Sequence, residues 1–361
     1  MPQAALSKNG TTSVPAMLAQ ALELHQQGRI VEAAQLYSAI LAIRPDHFDA
    51  LHMLGVAKLD LGQPTDALHL IGAAMRARTP SPQILLNYGL VLNALNRHQE
   101  ALDHFDQAIK RKSKYADAHI NRAGVLSVLG RDDEAVASCR KALTVAPNYP
   151  EAHYNLGNSL RRLGRNDEAL KCLDRALALR PDYVSALNNR GMILQGMERF
   201  DEALACYDRA LLLMPNNADA LNNRGNTLFV LSRLDEALAD YDRALVLHPD
   251  DAQVLYNRGN CLKELQRYDE ALASYDRALI LRPNLAEALN SRGSTLHELQ
   301  RFEEALTSYD RALVIRPDYA DALDNRGVTL HALNRFDEAQ ASHDRARSID
   351  GTPGHNGITL L

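Results

Sequence analysis

The chain has no tryptophan, only four cysteines and no marked excess of either charge, and each shortage excludes a class of protein. Cys139, Cys172, Cys206 and Cys261 contain no CxxC pair, so neither a zinc-binding nor a redox spacing is encoded, and no disulfide framework is expected. With 40 Lys and Arg against 45 Asp and Glu the formal charge is −5, too little positive field to hold a phosphate backbone without a local basic stripe. The one dense basic stretch, Lys110, Arg111, Lys112 and Lys114, falls at an expected helix end, where cations complement the helix dipole. No nucleic-acid partner is therefore expected. No run of about 18 apolar residues exists, and the start of the chain lacks the apolar segment of a secretory signal, which predicts a cytoplasmic protein without a membrane partner. The motifs GxxxxGK[ST], GxSxG and HExxH are missing as well. His119 with His153, and His297 with His331, occupy equivalent repeat positions in adjacent units and cannot surround one ion. No catalytic residue, metal site or cofactor is expected.

What the chain does have is a beat of 34 residues. Ala returns at Ala33, Ala67, Ala101, Ala135, Ala169, Ala203, Ala237, Ala271, Ala305 and Ala339. A second Ala column lies seven residues on, from Ala74 to Ala346, with Ile40 in its first slot. Gly recurs at Gly55, Gly89, Gly157, Gly191, Gly225, Gly259, Gly293 and Gly327, and Pro at Pro45, Pro147, Pro181, Pro215, Pro249, Pro283 and Pro317. Small residues in fixed phase, closed by Pro, are the signature of a stack of helical hairpins in which each unit packs on its neighbours.

One unit, residues 184–217, shows the logic. Leu187, Gly191, Leu194 and Met197 recur at spacings of three and four, the stripe of an amphipathic helix A. Glu198 and Arg199 interrupt it, and a second stripe runs through Phe200, Ala203, Leu204, Tyr207, Ala210 and Leu211 to Pro215, giving an antiparallel helix B. Gly191 and Ala203 are expected where the two axes approach, with Tyr207 filling the seam. The Asp or Asn after Pro is expected to cap the next helix A, as Asn284, Asp318 and Asp250 would. Around residues 78–84, where Pro is displaced to Pro80 and Pro82, the array is expected to bend or fray first.

Gly191, Ala203, Tyr207, Ala210 and Pro215, with their equivalents every 34 residues, resemble the tetratricopeptide repeat family. The resemblance implies an all-α, right-handed superhelical solenoid of antiparallel helix pairs whose A helices line a concave groove. In this phase residues 1–13 form a flexible N-terminal segment, 14–353 hold ten repeats, and 354–361 are a short flexible tail. The last repeat carries Gln340, His343 and Gly351 where others have Leu, Tyr and Pro, and reads as a degenerate cap.

On helix A, Asn87, Asn121, Asn155, Asn189, Asn223, Asn257 and Asn325 share one position, and Asn158, Asn226 and Asn260 stand three residues later. Asn is a mediocre helix former, and its amide offers a donor and an acceptor to the backbone of an extended peptide whatever its side chains. The alternative is that these amides bond between neighbouring helices. The Arg column after it (Arg122, Arg190, Arg224, Arg258, Arg292, Arg326) is expected to pair with Asp on helix B, such as Asp208, Asp242, Asp276 and Asp310. Acids at Asp117, Glu151, Asp219, Glu287 and Asp321 are expected to tint the groove negative. The expected function is a noncatalytic scaffold holding a peptide or partner helix in the groove, with selectivity from Tyr154, Arg161, Arg162, Phe229, Lys263 and His297. The alternating LNNRG and YDRAL of residues 184–346 also resemble the repeat arm of O-linked N-acetylglucosamine transferases, implying a substrate-docking arm as the competing function. Self-association through the concave face or the ends is a third expectation.

Overall fold

The computed structural model describes residues 13–350; the expected terminal segments 1–13 and 354–361 lie, apart from Ser13, outside the described residues. Those residues contain helices and no strand. They divide into two compact units at residue 181. The first unit holds α1 (Val14–Gln26), α2 (Ile30–Ile43), α3 (Phe48–Asp60), α4 (Pro64–Ala77), α5 (Pro82–Ala94), α6 (His98–Arg111), α7 (Ala116–Val128), α8 (Asp132–Val145), α9 (Pro150–Arg162) and α10 (Asn166–Leu179). The second holds α11 (Val184–Gly196), α12 (Phe200–Leu213), α13 (Ala218–Val230), α14 (Leu234–Leu247), α15 (Ala252–Glu264), α16 (Tyr268–Leu281), α17 (Ala286–Glu298), α18 (Phe302–Ile315), α19 (Ala320–Ala332) and α20 (Phe336–Asp350). Each unit is an all-α solenoid of helix pairs, odd-numbered helices being A and even-numbered ones B.

The turn from A to B reverses the chain in three residues, and its middle residue is left-handed. Gly28, Gly62, Asn96, Gly130 and Gly164 take that place in the first unit, and Glu198, Ser232, Gln266, Gln300 and Asn334 in the second, with φ between 58° and 76°. In α11 the turn closes with Arg199 N donating to Leu194 O at 2.9 Å and Glu198 N to Gln195 O at 2.9 Å, a Schellman-type end. Except in α4, where Gln63 and Asp66 stand at these positions, helix B then opens on a fork in which an Arg before its first residue grips a Glu three positions on, as Arg267 does Glu270 at 2.7 Å.

Caps of helix A differ from the sequence expectation. Asp251, not Asp250, caps α15 by accepting from Gln253 N and Val254 N. Asn217 caps α13 through Ala220 N at 2.8 Å. Asn284 and Asp318 stand one residue too early, and the cap positions of α17 and α19 are Leu285 and Tyr319, without a side-chain bond to the helix. Near residue 80 the helices end and begin at the usual places: Ser81 caps α5 and Pro82 starts it, so the displaced Pro opens a helix where its missing N–H costs nothing.

The Gly column has a more specific role than close approach of two axes. A Cβ on Gly191 would lie 2.5 Å from Tyr207 Cε1, on Gly259 2.5 Å from Tyr275 Cε1, and on Gly89 2.5 Å from Phe105 Cε1. The ring of helix B thus lies over the bare Gly of its own helix A. Where the facing residue shrinks the constraint relaxes: Gly157 meets Leu173 at 3.0 Å, and Ala123 occupies the slot opposite Cys139. Ala33, Ala67, Ala101 and their successors are buried in the same seam.

Candidate protein-interaction face

Within each unit an A helix packs on its own B helix and also touches the next A helix, as α3 does α5 and α13 does α15, whereas consecutive B helices do not pack comparably. The A helices therefore form the inner, more tightly curved side of each unit. Of the 13 residues of α13, Ala220, Leu221, Gly225, Thr227 and Leu228 are buried, which leaves Asp219, Asn222, Asn223 and Asn226 among those that solvent reaches.

The Asn ladder divides into three groups by what its amides already hold. Some members bridge neighbouring A helices: Asn257 Nδ2 donates to Asn222 Oδ1 and Asn226 Oδ1, both at 3.0 Å, Asn325 Nδ2 donates to Asn290 Oδ1 at 3.0 Å, and Asn87 Nδ2 lies 2.9 Å from His52 Nε2. Others are held within their own repeat. Asn226 and Asn260 each accept from a buried tyrosine hydroxyl, Tyr241 and Tyr275, at 2.8 Å; Asn158 accepts from Arg161 at 3.4 Å, and Asn121 Nδ2 donates back to Asp117 O at 2.9 Å. Asn189 has a polar contact of its own. Asn155 and Asn223 form the third group: both are half-buried, and among the described residues neither side chain has a hydrogen-bond partner.

The Arg column pairs as its spacing suggests. Arg258 donates to Asp242 Oδ1 on α14 and to Ser274 Oγ on α16, both at 2.6 Å, so one guanidinium ties two successive B helices. Arg122, Arg292 and Arg326 repeat the arrangement. Arg224 holds the buried Asp240 with two bonds of 2.7 Å and Asp208 with a third, and these hydrogen bonds keep its pKa far above the ordinary range. This column is spent on stacking the repeats. The acids are also less available than the sequence suggests. Glu151 pairs with Arg180, Glu287 with Arg316, and Asp117 accepts from Tyr149 OH at 2.8 Å. Burial, followed by that bond, pushes the Tyr149 hydroxyl up to about 12.

Of the residues expected to set selectivity, Arg162 grips Asp132 at 2.7 Å and His297 Nδ1 lies 2.9 Å from Thr329 Oγ1. One network escaped the sequence reading: Tyr115 OH donates to Gln83 at 2.6 Å as Tyr149 does to Asp117, each reaching back to the previous A helix. Its signal was a further column at the residue before helix A, occupied by Tyr115, Tyr149, Tyr183 and Tyr319. The cysteines are buried or half-buried, and burial raises the Cys139 thiol to about 12, away from thiolate chemistry. Among the described residues no group of three His, Cys, Asp or Glu is gathered as metal ligands, and no helix is long and apolar enough to cross a membrane.

Comparison with known proteins agrees with this geometry. A family model described as tetratricopeptide repeat matches residues 114–182 and 148–211, and a second of the same description matches 52–116, 189–252, 225–286, 256–320 and 290–353. No curated protein matches the chain. The structure of the APC/C hetero-tetramer Cut9-Hcn1 is similar with a TM-score of 0.61 at 21% identity, covering 78% of this chain and 55% of that one, so this chain spans about half the length of that relative. A tetratricopeptide repeat protein from Parabacteroides merdae is similar with a TM-score of 0.55 at 20% identity, covering 69% of this chain and 98% of that one. YrrB, described as a TPR protein with an unusual peptide-binding site, is 27% identical with a TM-score of 0.46, over 55% of this chain and 99% of its own. The first two likenesses concern the fold alone.

Proposed function

Because this chain belongs to the tetratricopeptide repeat family, we propose that it is a noncatalytic protein-interaction scaffold that holds an extended peptide of a partner against the A-helix side of its units. The observation that carries the peptide reading is the division of the ladder. Most of its amides are engaged in bracing the helices, while Asn155 and Asn223 keep a donor and an acceptor unpaired on a half-exposed inner surface. Such an amide pairs with one N–H and one C=O of an extended chain and so recognises backbone more than sequence. The braced neighbours fix where each unpaired amide stands, which lowers the entropy cost of binding.

The test uses peptides selected on the full chain from a displayed library of random sequences, with affinity read by fluorescence anisotropy. A peptide seated on the first unit loses affinity with Asn155→Ala, and one seated on the second with Asn223→Ala, by about 3- to 10-fold for the hydrogen bonds removed. Asn121→Ala, whose amide is satisfied on its own helix, leaves both peptides unaffected. Selected peptides that respond to neither Asn155→Ala nor Asn223→Ala would remove the reading.

A second reading, a substrate-docking arm of a glycosyltransferase similar to O-linked N-acetylglucosamine transferases, rests on the LNNRG and YDRAL alternation of residues 184–346. A catalytic reading frame beside this one, whose product requires this chain for its substrates, is what would favour it.

A further inference from the structure

The bonds that brace the Asn ladder of the second unit follow one spacing. Asn257 Nδ2 donates 31 residues back to Asn226 Oδ1 and 35 residues back to Asn222 Oδ1, and Asn325 Nδ2 donates 35 residues back to Asn290 Oδ1. A ladder amide is thus met by a carboxamide at one of two places on the preceding A helix. For Asn155 those places hold Gly124 and Ile120. Ile120 is buried and apolar, and Gly124, half-buried on α7, has no side chain to offer. Asn155 is unpaired because the group that would meet it has been left out. Asn121 faces Leu90 and Leu86 at the same two places and turns its amide back to Asp117 O instead.

Packing does not ask for this Gly. A Cβ on Gly89 or Gly191 would strike a ring of helix B, whereas one on Gly124 would lie more than 4 Å from every neighbouring helix. Gly inside a helix costs stability, more than any residue but Pro. What a bare position gives in return is room for another backbone to come close.

The second unit shows what chemistry fits the place. There it holds the Asn226 carboxamide, whose oxygen accepts from Asn257 Nδ2 at 3.0 Å. A peptide group of an extended chain is the same carboxamide, with one acceptor and one donor, and the bare surface at Gly124 leaves room for the Cα atoms that flank it. Resting on the reading of Asn155 as a peptide-binding amide, we propose that Gly124 is the slot in which the partner's backbone lies. One peptide group of the partner takes the place that Asn226 fills in the second unit, its C=O accepting from Asn155 Nδ2 while a neighbouring N–H donates to Asn155 Oδ1. The internal brace of α13 and α15 and the external peptide on α7 and α9 are two ways of making one hydrogen bond. Asn223 has Met192 at the corresponding place, so the slot belongs to the first unit alone.

The test returns the missing group to the full chain and reads the library-selected peptides by fluorescence anisotropy. Gly124→Asn is expected to re-create the brace between α7 and α9. Peptides that depend on Asn155 then lose affinity by about 10-fold or more, because they must displace an internal bond. Gly124→Ala fills the slot without a polar group. It should weaken the same peptides and, by helix propensity alone, slow hydrogen exchange of the α7 amides about 3- to 5-fold. Peptides that respond to Asn223→Ala are unaffected by either change. Native affinity of Asn155-dependent peptides for the Gly124→Asn chain would overturn the slot and leave the role of Asn155 standing. So would an Asn155-dependent peptide whose binding rests on a single Asn or Gln side chain, which would then be the group that fills the place. Faster exchange in Gly124→Ala would mean that packing requires the Gly and would overturn the slot as well. Peptides that ignore Asn155 would remove both the slot and the reading beneath it.

Discussion

At the residue scale the fold depends on pairs sixteen positions apart. Gly259 is bare because Tyr275 lies on it, and adding one methyl there forces the ring or the helix to move. Gly259→Ala is therefore expected to destabilise the α15–α16 hairpin by about 1–3 kcal/mol, the usual range for overpacking. Hydrogen exchange of the α15 and α16 amides in the full chain should report it as faster local opening. Adding Tyr275→Leu, which copies the looser Gly157 and Leu173 pair, should recover part of the loss. Equal protection in Gly259→Ala and native chains would contradict the role assigned to the column. The Gly column was plain in the sequence, but its partner was not, because period alone does not tell which side chain of helix B turns toward which residue of helix A. The same gap explains the Asn ladder. Its positions were legible, yet the division between bracing amides such as Asn257 and unpaired ones such as Asn223 depends on bonds such as the one to Asn222, 35 residues away.

At the element scale the beat gave helices and turns their places, and local chemistry decides how comfortably each turn is made. The first unit closes four of its hairpins with left-handed Gly; the second uses Glu198, Ser232, Gln266, Gln300 and Asn334. A side chain in that conformation costs on the order of 1 kcal/mol, so Gln266→Gly is expected to stabilise its hairpin by about that much. Slower opening of the α15–α16 amides would register the gain. A destabilised hairpin would mean that the Gln266 side chain makes a contact worth more than the backbone strain. The cap expectation failed at Asn284 and Asp318 because the position that must cap belongs, in several repeats, to another task. Tyr149 spends it on a bond to the previous A helix, and Tyr319 on stacking beneath Arg316, whose guanidinium lies 4.7 Å from the ring centroid. Asp251 and Asn217 show that a polar residue does cap when it stands one place later.

At the scale of the whole chain, each unit joins a braced interior to two differently composed surfaces. Repeat order, helix pairing and the all-α class were legible because small residues, period and Pro agree. Which inner groups are open to a partner was not, since that depends on how many polar groups the array consumes in holding itself together. The Arg column and three of the five acids are consumed in this way, and so are most of the amides. Under the proposed function, Asn155 and Asn223 are the ladder members left for a peptide. The most direct measurement is the nuclear magnetic resonance of Asn side-chain amides, selectively labelled in the full chain, during titration with a library-selected peptide. The amide of Asn155 or Asn223 is expected to shift to saturation while those of Asn121 and Asn257 stay in place. Saturated binding that leaves both Asn155 and Asn223 unmoved would contradict it.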